Sequence, residues 1–268
     1  MTLIIGIRCS DGIVLGADGS ATLGALGTHT ARQQSVKKLR IVRQDAVFGL
    51  SGPVGLSQLL CATVDEAIDK NHLRGRVEQV AEHLRGAFWK LIEPAMKSAI
   101  VAQQLIGNAA ASSSAICAVV LALPIEDRPE LIQFDQQAAP EIATDELPFV
   151  AVGSGQAIAD PFLAFIRRVV WGMKTPTVQD GILAAVWTLR HAIETNPGGI
   201  AEPIEIVVLR KEKGEKGKEE FVARELDPNQ LVEHREAVQS AEDKLAEWRK
   251  TLSPAPDAPA PPPPPPPQ

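Results

Sequence analysis

The chain has 268 residues, 45% hydrophobic and 22% charged, with a net charge of −6. That length is enough for one large domain with a full core, or for a domain plus an appendage, and excludes three independent domains. The acidic balance excludes a protein built to neutralise nucleic-acid phosphates, because Lys and Arg are not in excess.

The first apolar run, Thr2 to Arg8, is separated from the next, Ile13 to Ala17, by the turn-forming Ser10-Asp11-Gly12. The pair reads as a hairpin. A second hairpin is expected from Lys38–Arg43 and Ala46–Leu50 across a Gln-Asp turn. The period then lengthens. Leu56, Leu59, Leu60, Val64 and Ile68 predict a helix over Val54–Asp69, and Val77 to about Leu105 continues at helical spacing, with a kink or break at Pro94. Strands return at Ile116–Leu123, Leu131–Phe134 and Phe149–Val152. Gly153-Ser154-Gly155 opens a third helix running to about Trp171. A fourth spans Thr177–Glu194, with Thr177 as its cap. A last strand is expected at Ile204–Leu209. The order is strands, two helices, strands, two helices, strand, which suits antiparallel sheets covered by helix pairs rather than alternating βαβ units.

Past Leu209 the composition changes. Residues 210–250 hold ten basic and eleven acidic side chains. Val232, Ala237, Ala241, Leu245 and Trp248 draw a thin apolar stripe along a charged helix expected at Pro228–Leu252, which needs a neighbour to be stable. Ten of the 21 prolines lie in the last 15 residues, so 253–268 is expected to be disordered or polyproline-like. The divisions are 2–210 for the main domain, 211–252 for a charged linker and helix, and 253–268 for the tail.

Cys9, Cys61 and Cys117 are too dispersed for a disulfide framework and read as buried free thiols in a reducing compartment. Charges interrupt every apolar run short of a membrane span, and Arg8, Asp11 and Asp18 interrupt any signal-peptide core. A cytoplasmic protein is expected, without nucleic-acid or membrane partners. Histidines at metal-ligand spacing are lacking, so no metal or other cofactor is expected. Gly49-Leu50-Ser51-Gly52-Pro53 misses the GxSxG elbow, and Gly153-Ser154-Gly155 misses GxGxxG.

What remains is chemistry at the N-terminus. Removal of Met1 would give Thr2 a hydroxyl and a free α-amine, whose reference pKa of about 7.7–8.0 suits a general base. Asp18 ends the second strand and Lys38 starts the third. An ammonium near Thr2 would lower neighbouring pKa values, and a carboxylate would hold that ammonium. Gly52 could offer an N–H to an oxyanion.

The strings Thr2-Leu-Ile-Ile-Gly-Ile, Asp11-Gly-Ile-Val-Leu-Gly-Ala-Asp18-Gly-Ser-Ala-Thr22-Leu-Gly24, Val36-Lys37-Lys38-Leu-Arg-Ile, Gly49-Leu-Ser-Gly52 and Val152-Gly-Ser154-Gly-Gln resemble proteasome β subunits and the bacterial protease subunit HslV. The resemblance covers residues 2 to 210 and is closest to the beta-proteobacterial proteasome homologue; other bacterial proteasome-like branches are the alternative. It implies an α+β N-terminal-nucleophile hydrolase fold, an αββα sandwich of two antiparallel sheets between helix layers, with the charged helix and Pro-rich tail added. It implies a threonine endopeptidase with Thr2 as nucleophile, Lys38 tuning it, Asp18 orienting Lys38, the Gly52 amide as oxyanion donor and Ser154 supporting the amine. Substrate would pair near Thr22, Gly52 and Val54, and a first pocket would draw on Ala21, Val36, Leu50 and Val54. The implied assembly is a homo-oligomer of two stacked rings acting on unfolded polypeptide, fed by an ATP-dependent unfoldase. Two positions depart from the family pattern: Glu194 stands where Asp is usual, and Pro197 where a supporting Ser is usual. A catalytically weak assembly or binding shell therefore stays open.

Overall fold

A computed structural model describes residues 2–23, 32–107, 115–196, 199–214 and 217–252. Gly24, Pro197 and the Pro-rich tail lie outside the described residues, as do the side chains of Ala21 and Thr22.

Two five-stranded antiparallel sheets form the centre. The first contains β1 (Ile4–Cys9), β2 (Gly12–Asp18), β10 (Phe149–Val152), β11 (Ile204–Lys213) and β12 (Glu219–Glu225), in the order β10-β1-β2-β11-β12. The second contains β5 (Leu39–Val42), β6 (Ala46–Ser51), β7 (Ala118–Ile125), β8 (Arg128–Phe134) and β9 (Pro140–Ile142), in chain order. A separate ribbon pairs β3 (Ser20–Leu23) with β4 (Arg32–Ser35).

Strand alternation sorts the core into layers. In β1, Ile5 and Ile7 face one pair of helices, α3 (Gln156–Val169) and α4 (Val178–Thr195). Ile4 turns the other way, joining Ile13, Leu15 and Ala17 of β2 against Leu39, Val47, Val120 and Leu131 of the second sheet. The outer face of that sheet carries Phe48, Leu121 and Phe134 under α1 (Val54–Asp69) and α2 (Val77–Ile106). These three apolar layers make the αββα sandwich.

α1 agrees with the expected span, and α4 begins where expected, with the Thr177 side chain accepting the Asp180 N–H at its N-terminus. Four expectations need correcting or narrowing. α2 runs unbroken through Pro94 over nearly its expected span, so of the kink or break expected there the break is excluded; a helix tolerates Pro when surrounding packing outweighs one lost hydrogen bond. The strand expected to stop at Leu209 continues to Lys213, and β12, which the sequence reading passed over, pairs with it. Its charge hid it: only the half facing the core needs to be apolar, and Phe221 and Ala223 supply that half. The third correction concerns the last helix, α5 (Val232–Leu252). Its buried side chain is Val238, with Ala241 partly covered, while Val232, Leu245 and Trp248 are 47%, 49% and 60% exposed. The face is fixed by pairing with α4, where Trp187 Nε1 donates to Glu242 at 3.1 Å and Arg190 donates to Gln239 at 2.7 Å. Lastly, Cys9 and Cys117 are buried but Cys61 is only half-buried. Burial pushes the Cys117 thiol up to about 11 and Cys9 further, so neither is a thiolate at neutral pH. Among the described residues no helix is long and apolar enough to cross a membrane.

Candidate active site

Strand register assembles the site at one end of the sandwich. Ile4 of β1 is opposite Ala17 on one side and Val152 on the other. The residues just before β1 therefore lie between Asp18, at the end of β2, and the Gly153-Ser154-Gly155 turn after β10. The Thr2 N–H donates to Ser154 Oγ at 3.2 Å, and the Thr2 carbonyl accepts from the Gly155 N–H at 3.3 Å and from the Ser154 hydroxyl at 3.4 Å. With Met1 attached that nitrogen is an amide; after its removal the same atom would be the α-amine.

Gly153 is required by this contact. Its φ is 100°, and a Cβ there would fall 2.2 Å from the Thr2 carbonyl oxygen and 3.0 Å from Ser51 Oγ. The same contact brings the end of β6 beside Thr2, with Gly52 next in the chain. Gly52 has φ 150°, and a Cβ there would meet Cys117 Cβ at 2.7 Å.

Asp18 has no exposed surface. A buried carboxylate costs several kcal/mol unless paired and fully hydrogen-bonded. Asp18 meets that demand with the Lys38 ammonium at 2.6 Å, the Leu3 N–H at 2.8 Å and the Ser20 N–H at 3.1 Å. One carboxylate thus ties the residue next to Thr2 to the start of the second sheet. Burial lowers the Lys38 ammonium below the usual lysine value, and the Asp18 charge offsets that only in part. Lys38 reaches Asp18 because Leu39 is anchored in the core between the sheets.

The remaining candidates are spread out. The β3 backbone places Ala21 and Thr22 opposite Gln34 and Gln33. Val36 is half-buried, its N–H bonded to the Gly19 carbonyl at 2.9 Å. Leu50 is 7% exposed, packed in the core beneath α1 and α2, whereas Val54 is 61% exposed at the start of α1. The structure does not bring Glu194 into the hydrogen-bonded cluster: its 58% exposed side chain pairs with Arg190 Nε at 2.9 Å, one turn back along α4. Glu205 is a neighbour the sequence reading missed. Its carboxylate accepts the backbone N–H groups of Lys38 and Leu39, each at 3.1 Å. The signal was a charged residue at an inward position of the apolar strand Ile204–Leu209. Among the described residues no cluster of His, Cys, Asp or Glu could hold a metal ion.

The model of the proteasome subunit family matches residues 2–208. The chain belongs to the proteasome subunit family. Solved structures with a similar fold include an Anbu Gly-1 mutant from Hyphomicrobium sp. strain MC1, at 15% identity and TM-score 0.66, covering 95% of this chain and 99% of that one. Anbu from Pseudomonas aeruginosa, solved as a helical assembly, gives 16% identity and TM-score 0.64, covering 96% and 100%. Anbu from Yersinia bercovieri, described as an ancestral beta-subunit, gives 13% and 0.63, covering 94% and 99%. At these identities the likeness is one of fold. No curated protein matches the chain.

Proposed function

We propose that this proteasome-family subunit is a threonine endopeptidase acting through an ester on Thr2. The observation that carries the reading is the Asp18 carboxylate, bonded at once to the Lys38 ammonium and to the N–H of Leu3, next to Thr2. After removal of Met1, the α-amine takes the proton of the Thr2 hydroxyl as its oxygen attacks the substrate carbonyl. The buried Lys38 charge favours the developing alkoxide, and Asp18 holds that charge in place. The Gly52 N–H receives the oxyanion, and Ser154 orients the amine through the contact seen at 3.2 Å. The α-ammonium then gives its proton to the leaving nitrogen as the tetrahedral intermediate collapses and expels the amine product. Water, giving a proton to the α-amine, attacks the ester, and return of that proton to the Thr2 oxygen frees Thr2. Glu194, paired with Arg190, is left outside the step as drawn.

The substrate is an extended, unfolded polypeptide adding a strand beside β3, with Thr22, Gly52 and Val54 offering backbone groups. The first pocket draws on Ala21, Val36, Leu50 and Val54, as the resemblance implies. We place the sites in a cytoplasmic homo-oligomer, in line with the assembly described for the Pseudomonas relative; an ATP-dependent unfoldase would deliver folded proteins. The position of Glu194 favours one competing reading, a shell of weak or no activity. Intact mass, followed by reaction with a peptide epoxyketone that needs both the hydroxyl and the amine of an N-terminal Thr, separates the two. Loss of Met1 and an adduct on Thr2 are expected. A correctly assembled protein that keeps Met1 or forms no adduct would falsify the peptidase reading.

A further inference from the structure

β11 contains an anomaly. Its side chains alternate between Ile204, Ile206 and Val208 on the helix side and Val207 and Leu209 on the side of the second sheet. Glu205 occupies the sheet side, where the pattern calls for an apolar residue. Burial raises its carboxyl above the ordinary glutamate value despite two backbone N–H groups that pull the other way. A half-buried charge at that position is unfavourable unless it holds something in return. What it holds is the backbone of Lys38 and Leu39, both N–H groups converging on the same Oε2 at 3.1 Å.

The neighbourhood repeats the theme. Glu225 of β12 lies diagonally across from Glu205, since its register partner is Val207. Glu225 pairs with the Lys37 side chain, with contacts of 2.5 and 2.7 Å. Two carboxylates from the far end of the chain thus hold the Lys37-Lys38 dipeptide, one by its backbone and one by its exposed side chain. Only the first bears on Lys38 directly. Lys38 lies just before β5, whose first ladder pair is Leu39 opposite Gly49. The ladder of the second sheet thus begins one residue past Lys38, and the Lys38 N–H is bonded to Glu205 of the other sheet.

We propose that Glu205 is a positioning residue: it clamps the Lys38 backbone from the opposite sheet, so that the Lys38 ammonium meets Asp18 beside Thr2. It touches no reacting atom and acts through Lys38. The catalytic side of this proposal rests on the peptidase reading; the clamp itself does not.

The test uses Glu205→Gln and Glu205→Ala in the full chain, with two kinds of readout. Amide hydrogen exchange reads the clamp without catalysis: Glu205→Ala is expected to speed exchange at Lys38 and Leu39 by about tenfold or more, leaving the β1–β2 amides unchanged. Epoxyketone labelling and peptide hydrolysis read its consequence. Glu205→Ala is expected to lower kcat and the labelling rate by about 30-fold with KM unchanged, because groups held out of line lose rate rather than binding. Glu205→Gln, whose amide oxygen still accepts both N–H bonds, should recover most of that loss, and it serves if the alanine variant fails to fold. In a Lys38→Ala background Glu205→Ala should bring no further loss. Unchanged exchange at Lys38 and Leu39 overturns the clamp. An additive loss in the Lys38→Ala background overturns positioning through Lys38. If the wild type forms no adduct, the peptidase reading fails, and the exchange rates still decide the clamp.

Discussion

The nitrogen of Thr2 lies 3.2 Å from the hydroxyl oxygen of Ser154, although 152 residues separate the two. The contact exists because β10 runs beside β1 and the chain turns back at Gly153, where the φ of 100° leaves room for the Thr2 carbonyl. Thr2 is thus held by a turn whose geometry only glycine readily adopts.

Gly153→Ala should therefore disable the site. The left-handed backbone alone costs about 1–3 kcal/mol with a side chain present, and the added methyl must also push Thr2 away. Epoxyketone labelling of Thr2 should fall by about 100-fold or more, since misplacement near the reacting centre carries that scale of loss. Equal labelling of variant and wild type would show that the turn does not position Thr2.

Asp18→Ala should destabilise as well as inactivate. It removes the carboxylate that pairs with the Lys38 ammonium, whose side chain is 6% exposed, and that accepts two backbone N–H groups. Breaking such a buried pair costs about 3–5 kcal/mol. The denaturant midpoint should drop accordingly, and an unchanged midpoint would mean that the pair contributes nothing to holding the two sheets together.

Glu205 should make stability depend on pH with a definite sign. Burial raises its folded-state carboxyl above the ordinary 4.5. A group with a raised folded value contributes stability that is full below the unfolded value and lost as pH rises through the folded one. Glu205→Gln cannot ionise. Stability of the wild type relative to this variant should therefore fall as pH rises above the ordinary carboxylate range, with Lys37, Lys38 and Glu225 as the surrounding charges. Denaturant unfolding of both proteins at each pH measures it; a difference that rises with pH contradicts the burial of Glu205.

Two valines on the last helix should behave oppositely. Val238 is fully buried, whereas Val232 is 47% exposed. Val238→Ala should cost about 2 kcal/mol, for lost burial and the cavity left behind, and Val232→Ala should stay within about 0.5 kcal/mol. Comparable losses would mean that α5 does not dock on α4 through the Val238 face.

Local pattern alone determined a good deal. Alternation and period gave both N-terminal hairpins, the helix pairs and their order, because side chains that share a face recur at fixed spacing whatever lies opposite. Thr2, Asp18, Lys38 and Ser154 were legible as matched strings at the ends of those elements. Tertiary structure decided the rest. β12 and the buried face of α5 were hidden because a half-covered element needs few apolar residues, and only its neighbour shows which face those must occupy. Glu194 stands where the resemblance places a site carboxylate, and the α4 surface pairs it with Arg190. Glu205 looked like an ordinary strand residue until the second sheet brought the Lys38 and Leu39 N–H groups to it. Local pattern follows from steric and solvation preferences within a few residues. Which charges meet depends on how two sheets stack, and that is set by the whole apolar interface between them.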